Sequence, residues 1–347
     1  MSAPNHWVVV LAGGVGSRFW PLSTPDRPKQ LLPLVSERPL VVDSIDRLRA
    51  VADVSRTLIL TNASLIEPIA ALLPDVPHGN IIGEPKPLGT GPALAWAAQW
   101  IAARDGADAV MISVHADWAI GDADGFRAAL RTAASVAARH ESLVTVGVVP
   151  TRPDPGLGYI QPDGELEPGV RRVARFVEKP DRARAEAMCR EGFLWNSGIF
   201  VWRVGDFLDE IRAHTPEIAP ALATHGNDIG AFFAAVRPIT VDVGVLERSK
   251  RVLVIAGDFG WDDVGTWGAL RRVRERDAVG NATSGEVYAI AATDNVVHAE
   301  KGTVILYGVS DLVVVARDGV VLVTTVARSS ELKTLVDALP RRIREKA

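Results

Sequence analysis

Cysteine is all but missing from this 347-residue chain, in which Cys189 stands alone. No disulfide can therefore close within the chain, and no cysteine cluster can hold a metal. The surrounding Ala185-Glu-Ala-Met-Cys-Arg190 reads as helix, where a lone thiol packs rather than attacks. Long apolar runs are lacking too. The run over 7–12 is too short to cross a bilayer. No basic segment followed by a long apolar one opens the chain, so no signal peptide is expected and a cytoplasmic location is. Charge of one sign is not in excess either. Lys and Arg number 38 against 42 Asp and Glu, a net charge of −4. That balance excludes broad charge-driven binding, so neither nucleic acid nor membrane is expected as a partner. What remains is ordinary: 48% apolar and 23% charged residues, in a chain long enough for one large domain and a small one.

Short apolar runs alternate with amphipathic stretches through the first half. Strands are predicted over 6–12, 57–61, 109–114 and 143–149, and helices over 39–52, 64–73, 92–104 and 124–139. Runs apolar on every side belong to strands buried on both faces, so the fold class is α/β on a mostly parallel sheet. Pro, Gly and charge dominate 151–180, with strand candidates at 158–161 and 173–177. The α/β texture returns with a strand over 198–202, a helix over 204–214, a strand over 252–255 and a helix over 266–276. After about Gly280 come closely spaced strands over 287–290, 295–298, 304–307, 312–316 and 320–324, then a helix over 331–339. This reads as a main domain over 1–280 and a small β-rich domain over 281–347, one or two turns of a β-helix.

The first strand runs straight into Leu11-Ala-Gly-Gly-Val-Gly-Ser-Arg18. Glycines let backbone amides approach a phosphate, and Arg18 can neutralise its charge. The loop is not a P-loop, because Gly16 is followed by Ser-Arg rather than Lys. Nor is it a dinucleotide fingerprint, because Phe19 stands where a third glycine is needed. A tight turn without a ligand is the plainer alternative. The continuation, residues 20–34, is too rich in proline for a regular helix. It places Arg27 and Lys29 near Arg18, a grouping that suits a polyphosphate.

Residues 11–30 resemble the opening signature of the nucleotidyltransferases that make nucleotide sugars. Phe19-Trp20-Pro21 with Lys29-Gln30 is the form typical of their mannose-1-phosphate guanylyltransferase branch. Gly147-Val-Val-Pro-Thr-Arg-Pro-Asp-Pro-Gly-Leu-Gly-Tyr-Ile160, Phe176-Val-Glu-Lys-Pro180, Leu194-Trp-Asn-Ser-Gly-Ile-Phe200, Val241-Asp-Val-Gly-Val-Leu-Glu247 and Asp258-Phe-Gly-Trp-Asp-Asp-Val-Gly-Thr-Trp267 follow in the family's order. The resemblance implies a Rossmann-like nucleotidyltransferase domain, then a small left-handed β-helix-like domain that often takes part in a homodimer. Some bacterial members carry a further isomerase domain; with the chain ending at Ala347, no isomerase activity is expected.

The implied substrates are GTP and mannose 1-phosphate, with Mg²⁺ as cofactor. Attack by an already ionised phosphate oxygen on the α-phosphorus needs charge neutralisation and positioning rather than a strong base. No Ser-His-Asp constellation is required and none is found. By resemblance, Asp117 and Asp263 hold the metal, and Arg18, Lys29 and Lys179 are the catalytic cations. Leu11, Ala12, Gly13, Gly14, Gly16, Ser17, Glu84, Thr90, Pro92 and Asp117 bind the nucleotide. Gly158, Glu178, Lys179, Asn196 and Glu247 bind the sugar phosphate. Trp96, Trp100, Trp195 and Trp261 are expected to pack.

Two segments depart from the family's pattern. In Glu84-Pro-Lys-Pro-Leu-Gly-Thr-Gly-Pro92, Leu88 replaces an arginine, Gly89 a polar residue and Gly91 an alanine. In His115-Ala-Asp-Trp118, His115 and Trp118 are unusual, and Asp262 stands where serine is commoner. With fewer polar side chains, backbone groups must read more of the base, so GTP is expected to be preferred with weaker discrimination against inosine triphosphate. The rival readings are a nucleotidyltransferase for another sugar phosphate or nucleotide, and a non-catalytic nucleotide-sugar sensor. Loss of the aspartates or Lys179 would favour the sensor, and all are present.

Overall fold

The apolar run that opens the chain becomes the strand His6–Ala12, buried along six of its seven residues. A computed structural model describes residues 6–14 and 16–344. Compactness divides the chain into two units. One takes the chain up to Gly13, then 45–116 and 122–261; the other takes 14–44, 117–121 and everything from Asp262 onward. The expected boundary near Gly280 thus falls inside the second unit.

The first unit is built on a nine-stranded sheet. Its order is Ile81–Glu84, Thr57–Asn62, His6–Ala12, Val110–His115, Leu194–Arg203, Leu143–Val148, Val252–Gly257, Val170–Val177 and Tyr159–Glu167. The first four run parallel, as do Leu143–Val148 and Val252–Gly257. Leu194–Arg203 runs antiparallel to both of its neighbours, so the sheet is mixed. The order of the parallel strands reverses between His6–Ala12 and Val110–His115, the Rossmann-like switch point at which ligands bind beyond the carboxyl ends of strands. Those ends are adjacent here, with the Ala116 amide donating to the Leu11 carbonyl at 3.0 Å.

Helix Thr90–Asp105 is alanine-rich and apolar all round, and it is buried accordingly. Leu94, Ala97 and Ile101 join Phe207, Ile211, Phe232 and Trp202 in the core. Trp202 stacks on Phe207 with 4.1 Å between ring centres. The strand Ile81–Glu84 and the helices Ala219–His225 and Ile229–Ala235 were not anticipated from sequence, being four to seven residues long. Among the described residues no helix is long and apolar enough to cross a membrane.

In the second unit, Ala282–Ile290, Val296–Tyr307 and Leu312–Arg317 pair in parallel, and Val320–Thr325 closes the sheet antiparallel. Two strands expected over 295–298 and 304–307 are one. The register slips between Ser284 and Glu286, so 299–302 bulge without ending the strand. Buried Asn281 and Asn295 join successive strands as a ladder, the Asn295 amide donating to Asn281 Oδ1 at 2.9 Å. Asn295 Oδ1 in turn accepts from the Leu312 amide at 3.0 Å.

The helix expected over 266–276 is a correction. Only the 3₁₀ turn Trp267–Ala269 and helix Leu270–Val273 form, and the backbone is extended by Arg274. The competing demand is tertiary. Arg274 Nε donates to the Leu34 carbonyl at 2.5 Å, and Nη2 lies 3.2 Å from His298 Nδ1. Guanidinium has no acceptor, so that Nδ1 must be unprotonated.

Burial and the neighbouring Arg274 hold the His298 imidazole down at about 4, below its usual 6.5. Between those values the unfolded chain binds the proton and the folded one does not. Stability is therefore lost as pH falls from about 6.5 toward 4, by on the order of 3 kcal/mol. Denaturant titrations at pH 7.5, 5.5 and 4.5 should show this acid limb, and His298→Gln should flatten it.

Candidate functional site

The glycine loop leaves the first unit at Gly13 and enters the second at Gly14. In the first unit, Glu84 ends its strand against the loop: a Cβ on Gly13 would stand 3.3 Å from Glu84 Oε1. Burial pushes the Glu84 carboxyl up to about 7. Thr61 Oγ1 donates to the Ala12 carbonyl at 2.9 Å, and Asn62 Nδ2 to that of Gly13 at 3.2 Å. Thr90 Oγ1 accepts from the Val241 amide at 3.0 Å. Pro92 is buried in the first turn of its helix, and Leu88 joins the core.

Lys29 holds the constellation of the second unit together. Its Nζ donates to Asp117 Oδ2 at 3.0 Å and to the Asp263 carbonyl at 2.8 Å, with the side chain only 6% exposed. Gly16 has φ 66°, and a Cβ there would stand 2.3 Å from that of Lys29, so only glycine fits. Asp263 Oδ2 and Arg18 Nη1 crowd Gly265, 2.5 and 3.3 Å from where its Cβ would stand. Arg18, Lys29, Asp117 and Asp263 thus share one neighbourhood. Ser17 opens the 3₁₀ turn Ser17–Phe19. Arg27, expected beside them, is instead ion-paired to Glu300 at 2.5 Å, and Arg317 takes the other Glu300 oxygen at 3.3 Å. Phe19 and Trp20 pack into the core with Trp267, whose Nε1 donates to the Trp20 carbonyl at 3.1 Å.

The two neighbouring aspartates separate cleanly. Asp262 is buried and forked by Arg272, with Nε 2.7 Å from Oδ2 and Nη2 3.1 Å from Oδ1. Its Oδ1 also accepts from the Val264 amide at 2.9 Å. That turn holds Val264 at φ 46°, a strained conformation for a β-branched residue.

The remaining candidates line a small cleft in the first unit with Gly158, Glu178, Asn196, Asp242 and Glu247 on its walls. The Asn196 amide donates to the Gly158 carbonyl at 2.8 Å, and Asn196 Nδ2 to Asp242 Oδ1 at 2.7 Å. Lys179 pairs with Glu178 at 2.8 Å; both are more than half exposed. Lys179 has φ 42° in front of Pro180, a strain of about 1–3 kcal/mol. Asp242, which sequence reasoning passed over in favour of Glu247, opens the π turn Asp242–Leu246. The available signal was its place in the same Val241-Asp-Val-Gly-Val-Leu-Glu247 motif. Burial raises the carboxyls of Asp242 and Glu247, and Glu178 adds to both shifts. Trp195 and Trp261 pack on each other at 6.2 Å, and Trp96 is buried. Trp100 is half-buried, 5.3 Å from the Trp7 ring. Cys189 lies 4.0 Å from Tyr159 Oη.

Comparison with known proteins shows the family of the chain. The nucleotidyl transferase family matches residues 7–279. A mannose-1-phosphate guanylyltransferase of Sinorhizobium fredii is 33% identical over 299 residues, 82% of this chain and 58% of that protein. The alginate biosynthesis protein AlgA of Pseudomonas putida is 37% identical over 296 residues, 80% of this chain and 60% of that protein. The chain thus spans about three fifths of the length of these curated relatives. A crystal structure from Thermus thermophilus, described as a mannose-1-phosphate geranyltransferase, superposes with a TM-score of 0.89 at 34% identity. That match covers 96% of this chain and 98% of the other.

The Asp262–Arg272 fork yields a test. Arg272→Ala takes the cation from a buried carboxylate and should cost about 1–3 kcal/mol. Asp263→Asn should leave the thermal midpoint near that of the wild type while turnover collapses. Thermal denaturation beside a turnover assay distinguishes the two neighbours; a wild-type midpoint for Arg272→Ala would show that the fork is dispensable.

Proposed function

The chain belongs to the nucleotidyl transferase family, and from that premise we propose that it transfers the guanylyl group of GTP to mannose 1-phosphate, giving GDP-mannose and pyrophosphate. The observation that carries the reading is the grouping of Arg18, Lys29, Asp117 and Asp263 beside the glycine loop. The choice of guanine and mannose draws on the relatives named for that activity. A phosphate oxygen of the sugar attacks the α-phosphorus. The bond to the α,β-bridging oxygen breaks, and pyrophosphate departs with the electron pair. The nucleophile is already ionised at neutral pH, so Arg18 and Lys29 serve by neutralising charge. Backbone amides at Gly13, Gly14, Gly16 and Ser17 meet phosphate oxygens, and Glu84 accepts from the guanine N–H edge. Glu178, Asn196, Glu247 and Gly158 hold sugar hydroxyls, and Lys179 the sugar phosphate.

Asp117 and Asp263 form a donor set of oxygens only, which suits Mg²⁺, a cation that takes one or two carboxylates and completes its shell with phosphate and water. Among the described residues no cluster of three or more His, Cys, Asp or Glu exists to hold a metal by protein alone. When bound, the ion supplies neutralisation of phosphate charge.

Pyrophosphate release from GTP, ITP, ATP, UTP and dTTP with mannose 1-phosphate tests the assignment. GTP should have the highest kcat/KM, with ITP second because it loses only the 2-amino group. ATP matching GTP would overturn the guanylyl part. EDTA should abolish turnover, and Asp117→Asn or Asp263→Asn should lower kcat by at least about 100-fold. Because Glu84 ionises near 7, the GTP advantage should shrink below that pH, and Glu84→Gln should remove the dependence.

We further propose that residues 281–347 act as a small left-handed β-helix-like domain that pairs two copies. Tyr288 opposite Ile305 and Ile290 opposite Tyr307 leave an apolar stripe 55–76% exposed on one sheet. Such a stripe is stable in water when covered. Sedimentation at micromolar concentration should show a dimer, and Ile305→Glu with Tyr307→Glu a monomer. A monomeric wild type would remove the proposal.

A further inference from the structure

We infer that Asp242 is the positioning residue of the cleft: its carboxylate clamps the Asn196 amide in the one orientation that serves a sugar hydroxyl. The inference rests on reading that cleft as the sugar-phosphate site. An asparagine amide has two ends of equal size and opposite hydrogen-bonding character. Here its carbonyl end accepts from the Gly198 amide at 3.3 Å, and its NH₂ end donates to Asp242 Oδ1 at 2.7 Å. An ionised carboxylate only accepts, so it forces the NH₂ end toward itself. The second N–H and the remaining carbonyl lone pair are then presented in a fixed sense.

The backbone that carries Asp242 is itself held. Thr215 Oγ1 donates to the Gly244 carbonyl at 2.7 Å, and the Glu247 amide to the Asp242 carbonyl at 2.8 Å. A carboxylate is a costly choice for a partly buried place if packing is its only purpose. Asparagine would fill the same volume without the charge. The charged groups facing Asp242 are Glu178, Glu247 and His115, with Arg248 beside Glu247. Burial and then Glu178 raise its carboxyl, while the Asn196 bond and His115 oppose them. Protonation therefore begins at a higher pH than for a free aspartate. A protonated carboxyl can also donate, and the clamp loses its sense.

The test compares wild type, Asp242→Asn and Asp242→Glu across pH 5–8.5, reading KM for each substrate and the side-chain amide resonances of Asn196. Asp242→Asn should raise KM for mannose 1-phosphate by about 10-fold and leave that for GTP within about twofold. It should also shrink the acid limb of the sugar KM, to which Glu247 still contributes, and Asp242→Glu should restore part of the affinity. An unchanged sugar KM, or equal rises for both substrates, would overturn the inference. A wild type that turns over no mannose 1-phosphate would sink the proposed function instead. The resonances then decide the inference alone: Asn196 amide shifts that follow pH in the wild type and not in Asp242→Asn sustain it, and their absence overturns it.

Discussion

A buried ammonium sets the terms for the second unit. Taking Lys29 out of water costs several kcal/mol unless its donors are met, and Asp117 Oδ2 and the Asp263 carbonyl meet them. Those acceptors come from turns 88 and 234 residues away in sequence. The lysine therefore decides which distant segments must lie together. Its stem also decides that position 16 is glycine, since any Cβ there would collide with it. A loop legible as a phosphate cradle is shaped as much by the lysine behind it as by any ligand in front.

The carboxyl groups around the candidate sites sit in two kinds of surroundings. In the second unit, Asp117 meets Lys29 and Asp262 meets Arg272. In the first, Glu84, Asp242 and Glu247 are all pushed upward, chiefly by burial. Carboxylates held beside cations suit a charged, phosphate-bearing neighbourhood. Carboxyls poised to hold or shed a proton suit hydrogen bonds to uncharged groups, such as a base edge or a sugar hydroxyl. The division follows from environment alone, without any difference in residue type.

Most of the sheet was legible because its strands are continuous apolar runs; His6–Ala12 and helix Val204–His214 agree to the residue. What sequence could not show is where tertiary demands override local preference. The expected helix over 266–276 is cut short because Arg274 turns away to Leu34 and His298. Of three cations grouped by proximity in sequence, Arg27 goes to Glu300 and leaves the group. Phe19 and Trp20, which look like specificity residues in a motif, are core. Motif strings name positions without partners, and the Arg272 fork that sets Asp262 apart from Asp263 shows only in the structure.

The departures over 84–92 also take on a physical meaning. Leu88 buries its side chain, and its carbonyl accepts from the Ile239 amide at 3.0 Å. Gly89 has φ 90°, and a Cβ on it would stand 2.7 Å from the Ile239 carbonyl oxygen. The Gly91 amide donates to that same oxygen at 3.1 Å, and Thr90 Oγ1 accepts from Val241. Small or apolar residues at 88, 89 and 91 are thus what lets this segment lie flat against 239–241. The next residue in that stretch is Asp242. The segment that ends the Glu84 strand and the turn that orients Asn196 are therefore joined through a few backbone hydrogen bonds, inside one compact unit. Any side chain at 89 would have to displace the Ile239 carbonyl and so loosen that junction.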